Sequence, residues 1–319
     1  MALAKPYRPP AAGIGAVLSS FKYALMTSGP VRGAHVFLHV NQKDGFDCPG
    51  CAWPDPEHRS VVEFCENGAR AVAHEAEKGR VDAAFFAAHS IAELKQQSDH
   101  ALEHHGRLVE PMWKAPGATH YAPISWSDAF ALVGEELRAL SSPNEAAFYT
   151  SGRASNEAAF LYQLFARSLG TNNLPDCSNM CHESSGKGLG NTIGIGKGTV
   201  QLSDFASADL LFIIGQNPGT NHPRMLTTLE ECAQRGCKII SVNPLKERAL
   251  EVFAHPQNPL DIIQGTRISS QYLQVKINGD VALLKGIMKI VVDKGGIDRA
   301  FLAEHTSGTD ALIDSIRAA

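Results

Sequence analysis

The sequence has no apolar run approaching the roughly 18 residues that would indicate a membrane span. It has no excess of one charge either, because 29 Lys and Arg residues stand against 33 Asp and Glu, for a net charge of −4. Nucleic-acid-binding proteins usually carry a basic stripe, so we expect neither a nucleic-acid partner nor a membrane span. The N-terminal residues contain no apolar signal segment and no twin-arginine pair, which favours a cytoplasmic protein.

The size and composition indicate an ordinary globular protein. Of 319 residues, 44% are hydrophobic and 19% are charged, and at ~150 residues per domain this length suggests about two domains. Residues 1–45 are rich in proline and glycine and are predicted to be an extended arm. We divide the chain into an arm with a cysteine-rich segment (1–80), the first part of an α/β domain (81–176) and a second α/β domain (177–319).

After Pro123 the pattern alternates between apolar strands and amphipathic helices. Strands are predicted at 146–150, 208–214, 238–242 and 272–277, and helices at about 154–169, 223–234 and 281–294. The run at 208–214 is apolar throughout, as in a strand covered on both faces. This alternation predicts an α/β fold with a doubly wound parallel sheet. Ligands of such sheets lie beyond the carboxyl ends of the strands, which makes 151–153, 215–221 and 243–248 candidate ligand segments.

Seven cysteines fall into three groups, and an odd number without a secretory signal argues against a disulfide framework. Cys48 and Cys51 form a C-x-x-C motif in a loop of proline and glycine, with Cys65 downstream. Thiolates at this spacing can converge on zinc or on an iron–sulfur cluster, and the spacing alone does not separate the two. Pro54 and Pro56 follow directly, which disfavours the helix that a thioredoxin-like motif needs.

A second cysteine group, Cys177 and Cys181, is followed by His182 and a glycine-rich run at 186–198. Cys181 beside His182 could be a nucleophile, although its base would usually come from elsewhere in the fold. The glycines either let the backbone approach a large ligand or form a flexible loop. No register of the run fits the G-x-G-x-x-G fingerprint of dinucleotide-binding proteins.

Two further sets of side chains have ordinary surface explanations. Lys246 and Arg248 follow the strand at 238–242 and suit either a phosphate or solvent. Four histidines are predicted to lie on a solvated helical face, with a metal site as the alternative: His89, His100, His104 and His105.

In combination, the segments resemble the catalytic alpha subunits of formate-dehydrogenase-like molybdopterin oxidoreductases, of the dimethyl sulfoxide reductase superfamily. The resemblance runs from about residue 30 to the end, and members of that family are considerably longer, so we expect the N-terminal portion of a larger subunit. The stretches that carry it are GFDCPGCAWPDP, PISWSDAF, FYTSGRASNEAAF, LGTNNLPDCSNMCHESSGKGLGNTIG and ASADLLFIIGQNPGTNHPRM with GCKIISVNPLKERA.

The resemblance implies a bis-molybdopterin guanine dinucleotide holding molybdenum, with a [4Fe-4S] cluster nearby. Cys181 falls at the position of the protein ligand to molybdenum, and His182 at that of a histidine that handles the substrate proton. Asn217, Asn221 and Asn243 would bind one guanine dinucleotide. The remaining cofactor-binding candidates are Gly215, Gly279, Asp280, Ser151, Gly152 and Arg153.

The cluster segment departs from the family pattern at two positions. Asp55 stands where a third cysteine is usual, so the implied metal ligands are Cys48, Cys51, Asp55 and Cys65. Carboxylate is a harder donor than thiolate, which leaves a four-iron cluster, a three-iron cluster or none. Asn67 replaces a lysine that often bridges cluster and pterin, and Arg70 lies one turn further on.

The leading hypothesis is therefore a fragment of a molybdenum-dependent oxidoreductase. It would oxidise a small molecule such as formate by two electrons, which would leave through the cluster to an electron-transfer or diaphorase partner. A non-catalytic zinc- or nucleotide-binding module is the alternative from another class. A thiol hydrolase built on Cys181 is a third hypothesis, which predicts inactivation by alkylation without any metal.

Overall fold

The computed structural model describes residues 9–51, 53–175 and 182–318. The chain forms two compact units. The N-terminal unit is Gly15–Leu202, and the sheet unit joins the residues up to Ile14 to those from Ser203 onward. This division differs from the predicted one at residues 80 and 176, in part because a strand at Ala11–Ala12 pairs with one at Val252–Ala254. Within the described residues, we find no helix that is both long enough and apolar enough to span a membrane.

The strands are β1 Ala11–Ala12, β2 Arg80–Val81, β3 Arg107–Leu108, β4 Met112–Trp113, β5 Ala122–Pro123, β6 Leu210–Ile214, β7 Lys238–Asn243, β8 Val252–Ala254, β9 Thr266–Arg267 and β10 Gln271–Gln274. The helices are α1 Gly13–Lys22, α2 Pro30–Phe37, α3 Glu66–Glu75, α4 Ala83–Ala88, α5 Ile91–Leu94, α6 Asp99–Glu103, α7 Trp126–Ala139, α8 Asn156–Leu169, α9 Glu183–Ile193, α10 Pro218–Asn221, α11 Met225–Gln234, α12 Arg248–Glu251, α13 Asp261–Gln264, α14 Gly279–Asp293, α15 Arg299–His305 and α16 Thr309–Ala318. A π-helical turn, Tyr23–Thr27, follows α1, and single 3-10 turns occur at Pro143–Glu145 and Leu202–Ala206.

The sheet unit contains a parallel three-stranded sheet in the order β10, β7, β6. Ile214 of β6 lies opposite Val242 of β7, and Gln274 of β10 lies opposite Asn243. Helix α11 connects β6 to β7, and Gly236, with φ of +94°, follows its end. The predicted strand–helix–strand alternation and the α/β class are confirmed here, because β-branched runs and a glycine stop are strong local signals.

A second sheet in the same unit, in the order β1, β8, β9, is absent from the sequence prediction. Its strands are two or three residues long and therefore carry no periodic signal. The main core of this unit is formed by side chains of β6, β7, β8, α11 and α12. Its fully buried members include Leu229, Ile239 and Leu250. Truncating such a leucine typically costs about 2–5 kcal/mol.

Three predictions about local structure are wrong. Residues 9–45 are not an extended arm, because α1 and α2 occupy most of that range. Residues 146–150 form no strand: the Phe148 N–H donates to the Asn173 carbonyl (2.8 Å), and the Asn173 amide donates to the Ala146 carbonyl. The backbone hydrogen bonds of this segment are therefore made with Asn173 in a loop and not with a neighbouring β-strand. The third error concerns β6, which is an edge strand with Leu210, Phe212 and Ile214 exposed.

The glycine-rich run is not a loop throughout either. Helix α9 includes Gly186, Gly188 and Gly190, and Gly194, with φ of +80°, follows its end. A Cβ added to Gly196 would lie 3.0 Å from the Gly186 carbonyl oxygen. The glycines at 186 and 196 therefore permit backbone to contact backbone, which side chains would prevent.

Helices α2 and α3 pack with each other and with the π-helical turn Tyr23–Thr27 in the N-terminal unit. A Cβ on Gly33 of α2 would clash with the carbonyl oxygen of Ala24 in that turn, so only glycine fits there. Helix α3 buries Ala69, Ala71 and Ala73 on its inner side. This close packing brings the first turn of α3 toward the cysteine-rich loop described below.

A buried carboxyl pair links α11, α13 and β9 in the sheet unit. The Thr266 hydroxyl lies 3.1 Å from Glu230 Oε1 and 2.7 Å from Asp261 Oδ1. Burial, together with the hydrogen bond and charge of Asp261, raises the pKa of Glu230 to about 8. Burial acts to raise the pKa of Asp261 as well. Hydrogen bonds from His255, Thr266 and Glu230 outweigh this effect, so the pKa of Asp261 lies below its ordinary value. The pair therefore holds one proton, on Glu230.

We expect Glu230→Gln to remove a pH dependence of stability. Unfolding returns Glu230 to an ordinary pKa near 4.5, so the unfolded chain loses this proton first as the pH rises. The free energy of unfolding should fall by up to ~1.4 kcal/mol per pH unit between that value and about 8, and then level off. Urea unfolding at several pH values would measure this slope. The exposed neighbour Glu231→Gln should retain it, and an equal slope in Glu230→Gln would contradict the shared proton.

Candidate functional site

The carboxyl ends of β6, β7 and β10 meet at one edge of the parallel sheet. Gly215, with φ of +67°, follows β6, and its N–H donates to the Val242 carbonyl (2.9 Å). Asn243 ends β7 and its amide nitrogen donates to the Gln216 carbonyl (3.0 Å). The loop after β6 is therefore tied to the end of β7, as the pairing of parallel strands predicts.

Asn217 and Glu247 connect the two loops by their side chains. Asn217 Nδ2 donates to Glu247 Oε2 (2.8 Å). A carboxylate can only accept, so this contact orients the Asn217 carboxamide with its nitrogen toward Glu247. The Glu247 N–H donates to the Tyr272 hydroxyl (3.0 Å), which itself donates to the Leu245 carbonyl (2.7 Å). Burial raises the pKa of Tyr272 and keeps it a neutral donor.

The remaining candidates of this unit lie on the flanking elements. Asn221 ends α10, and its N–H donates to the Asn217 carbonyl (3.0 Å). Gly279 and Asp280 open α14 after Asn278, whose φ is +66°. Asp280 is in the first helical turn, where the helix dipole favours negative charge. The structure thus brings Gly215, Asn217 and Asn243 together, with Asn221 one turn away.

Glu247 lies inside the candidate segment 243–248, but sequence reasoning gave it no role there, and it missed Tyr272 altogether. Glu247 stands between two cations and carries no motif, and the Tyr272 contact joins residues 25 positions apart. Of the two cations, Arg248 donates to the Pro9 carbonyl (2.8 Å) and pairs with Glu251 (3.2 Å), which are structural contacts within the sheet unit. Lys246 is exposed.

Cys48, Cys51 and Cys65 lie close together in the N-terminal unit. Cys65 precedes α3 as its N-cap and accepts from the Gly68 N–H (3.3 Å), while Cys48 Sγ accepts from the Gly50 N–H (3.3 Å). A Cβ added to Gly68 would lie 3.0 Å from Cys48 Sγ and 3.6 Å from Cys65 Sγ. The two sulfur atoms are therefore no farther apart than the sum of those distances.

The surroundings of Cys65 disfavour its charged form in the absence of a cation. Burial raises the pKa of the Cys65 thiol to about 11, and Cys48 and Cys51 raise it by charge repulsion. Hydrogen bonds from the Gly68 and Asn67 backbones act in the opposite direction. A bound metal would supply the positive charge that stabilises the thiolates.

Asp55, the fourth implied ligand, pairs with Arg59 across 3.3 Å. Across the described ranges, no three His, Cys, Asp or Glu side chains are placed to hold a single metal ion, which also covers the four histidines above. Arg70 pairs with Glu103 (3.5 Å) and lies over the Tyr23 ring, 5.8 Å from its centroid.

A cleft of about 370 Å³ joins the cysteine loop to the segment at 151–153. Ser151 Oγ accepts from the Arg153 N–H (3.2 Å) in a tight turn, and a Cβ on Gly152 would meet open space. The cleft is lined by Val36, Phe46, Asp47, Pro49, Val72, Glu75, Ala76 and Arg153. Arg153 therefore reaches the same cavity as Pro49, which stands between Cys48 and Cys51.

The last candidates are the two nearest the implied molybdenum position. His182 is exposed at the start of α9, and its carbonyl accepts from the Gly186 N–H (2.9 Å). Cys181 and Cys177 lie outside the described residues.

The sequence profile of the molybdopterin oxidoreductase family matches residues 107–302. The chain belongs to this family. Membership implies a molybdenum–pterin cofactor. Within the molybdopterin oxidoreductases, an "uncharacterized oxidoreductase" of Mycobacterium tuberculosis is 50% identical over 313 residues, which cover 96% of this chain and 40% of the relative. The chain thus spans about 40% of the length of that relative.

Two more distant proteins set the limits of the comparison. The F420-dependent formate dehydrogenase 1 subunit alpha of Methanococcus maripaludis is 30% identical over 207 residues, covering 65% of this chain and 28% of that subunit. Acetylene hydratase from Pelobacter acetylenicus superposes with a TM-score of 0.54 at 18% identity, covering 72% of this chain and 30% of the hydratase. At that identity the superposition shows a shared fold.

We expect Gly68→Ala and Gly286→Ala to have opposite effects on stability. Both glycines lie in helices, and an exposed Gly-to-Ala change there normally stabilises by about 0.5–1 kcal/mol. Nothing lies within 4 Å of a Cβ at Gly286, so Gly286→Ala should gain this amount. A Cβ at Gly68 would lie only 3.0 Å from Cys48 Sγ, so Gly68→Ala should lose stability. Denaturant unfolding would compare the two. An equal gain in Gly68→Ala would show that the space beside the sulfurs is not constrained.

Proposed function

We propose that this chain is part of a formate-dehydrogenase-like molybdenum enzyme. It would oxidise a small substrate such as formate by two electrons at a bis-molybdopterin guanine dinucleotide centre, with electrons leaving through an iron–sulfur cluster. The family match over residues 107–302 carries the proposal. The relationship to the Methanococcus formate dehydrogenase subunit supports the choice of formate.

The strand-end loops of the sheet unit supply suitable groups for one guanine dinucleotide. Gly215 leaves the backbone uncovered after β6, and Asn217 and Asn243 provide carboxamides within tied loops. Glycine without a Cβ permits close approach of a large ligand, and amides suit ribose and base edges. Asn221, Gly279 and Asp280 would complete this site. Ser151, Gly152 and Arg153 would contact the cofactor in the N-terminal unit.

The three thiols of Cys48, Cys51 and Cys65 fit an iron–sulfur cluster better than a zinc ion. A single zinc ion needs its ligands to converge tetrahedrally at about 2.3 Å, and no group of three side chains in the described part of the chain does so. A cluster binds each thiolate to a different iron, so the sulfurs need only surround it. Backbone N–H groups that donate to Cys48 and Cys65, as here, also tune such clusters.

The bound molybdenum centre would accept the two electrons of the substrate and release them one at a time. Cys181 would be its thiolate ligand, a soft donor that suits a redox metal. His182 would hold or transfer the substrate proton at its imidazole, which can both accept and donate a proton. Arg153 would neutralise negative charge in the cleft beside the cysteine loop.

The iron site is tested on the full chain, purified and reconstituted without oxygen. Iron and acid-labile sulfide should both be present, with an EPR signal on reduction. Cys48→Ala and Cys65→Ala should lose most of the iron. Cys237→Ala is the control, because it removes a free thiol that belongs to the sheet unit and not to the cysteine loop. Zinc without iron, or iron that persists in Cys65→Ala, would contradict the proposed ligand set.

Formate oxidation is tested on the longest natural form of the protein, because the chain spans about 40% of the relative described above. Formate should bleach the visible absorption of the oxidised protein, and Cys181→Ala should abolish this while leaving the iron content unchanged. Molybdenum with no response to formate would retain the oxidoreductase family and reject formate as the substrate.

A further inference from the structure

Asn41 has an unusual backbone conformation beside the cysteine loop. Its side chain and backbone are almost fully buried, with 3% exposed, and its φ is +54°. Asn tolerates this left-handed conformation better than most residues. It follows α2, and its N–H donates to the Phe46 carbonyl (2.7 Å), which closes a tight turn ahead of Cys48.

The Asn41 side chain contacts both cysteine-bearing segments. Its Oδ1 accepts from the Cys48 N–H (2.8 Å), and its Nδ2 donates to the carbonyl of Glu63 (2.6 Å), two residues before Cys65. A carboxamide carries its acceptor and its donor on separate atoms, so one side chain can bond to both backbones. The Asn41 carbonyl also accepts from Arg59 Nη1 (3.0 Å), whose guanidinium pairs with Asp55.

We propose that Asn41 is the positioning residue that sets the separation of Cys48 and Cys65 for the iron–sulfur cluster. This inference rests on the proposed function. Cys48 and Glu63 are 15 residues apart in sequence, yet the buried side chain of Asn41 bridges their backbones. Both atoms of the Asn41 carboxamide bond to backbone groups, so Asn41 acts by positioning the cysteines and not as a metal ligand.

The substitutions separate this role from general stability. Asn41→Gly keeps the positive φ and removes both contacts. Asn41→Asp keeps the acceptor for the Cys48 N–H but replaces the donor to Glu63 by an oxygen. Gln42→Ala is the matched control, because Gln42 Nε2 also bridges the two segments, to the Ser60 carbonyl (2.9 Å), without contacting a residue adjacent to a cysteine.

The experiment measures iron release to a chelator and the EPR spectrum of the reduced, reconstituted full chain. Asn41→Gly should release iron about ten-fold faster or more, the size of effect seen when support for a metal ligand is removed. Asn41→Asp should shift the EPR signal and the midpoint potential, because one cysteine segment is displaced. Gln42→Ala should match the wild type in both readouts. Unchanged release and spectra in both Asn41 variants would overturn the proposal, even if their melting temperatures fall.

A second measurement on metal-free protein separates this inference from the cluster itself. Phenylarsine oxide captures two thiols only when they lie close together. All variants carry Cys51→Ala, so that the neighbouring C-x-x-C thiol cannot take part. In that background the protein with Asn41 intact and the Gln42→Ala variant should be captured through Cys48 and Cys65, and Asn41→Gly should not. If the wild type binds no iron but this pattern holds, the cluster proposal fails while the positioning role of Asn41 stands. Equal capture in Asn41→Gly would overturn that role.

Discussion

The parallel pairing of β6 with β7 is the interaction on which the proposed cofactor site depends. It places Ile214 opposite Val242, so that both strands end at the same level and their loops begin side by side. The hydrogen bond from Gly215 to Val242 extends the ladder by one residue into the loop. Without this register, Asn217 and Asn243 would face different surroundings, and no local motif could bring them together.

The sheet edge and the cysteine loop are both held by an asparagine side chain. In each, a carboxamide at the end of one element bonds to groups on the next segment, as Asn217 does with Glu247 and as Asn41 does with Cys48 and Glu63. Asn41 is buried and Asn217 is partly buried, and each bond favours one loop conformation, because a buried polar group that loses its partner is costly. Gly68 leaves space beside the sulfur atoms of Cys48 and Cys65, and Gly215 permits the positive φ with which the chain leaves β6.

The strands, helices and strand-end residues of the parallel sheet could be predicted because their signals are local. Apolar runs, the stop at Gly236 and the turn after 214 lie within a few residues of the structure they specify. The contacts of Glu247, Tyr272 and Asn41 could not be predicted, because each joins segments distant in sequence and no spacing encodes it. The same holds for the helical content of residues 9–45, where the preceding prolines masked an amphipathic pattern.

Corrections elsewhere follow from tertiary context rather than from residue preference. Residues 146–150 have strand-forming composition, yet Asn173 takes up their backbone hydrogen bonds. The glycine-rich run is helical over α9 despite a composition that disfavours helices, and the backbone of Gly186 in this helix packs against that of Gly196. Local propensity is a weak guide where such packing is available.

The proposed molybdenum–pterin guanine dinucleotide is tested most directly by the metal and nucleotide content of the protein, purified without oxygen in its longest natural form. We expect stoichiometric molybdenum, a fluorescent oxidised pterin and guanine nucleotide released by acid hydrolysis, all reduced together in Asn217→Ala. Zinc as the only metal, with neither pterin nor guanine nucleotide, would contradict it.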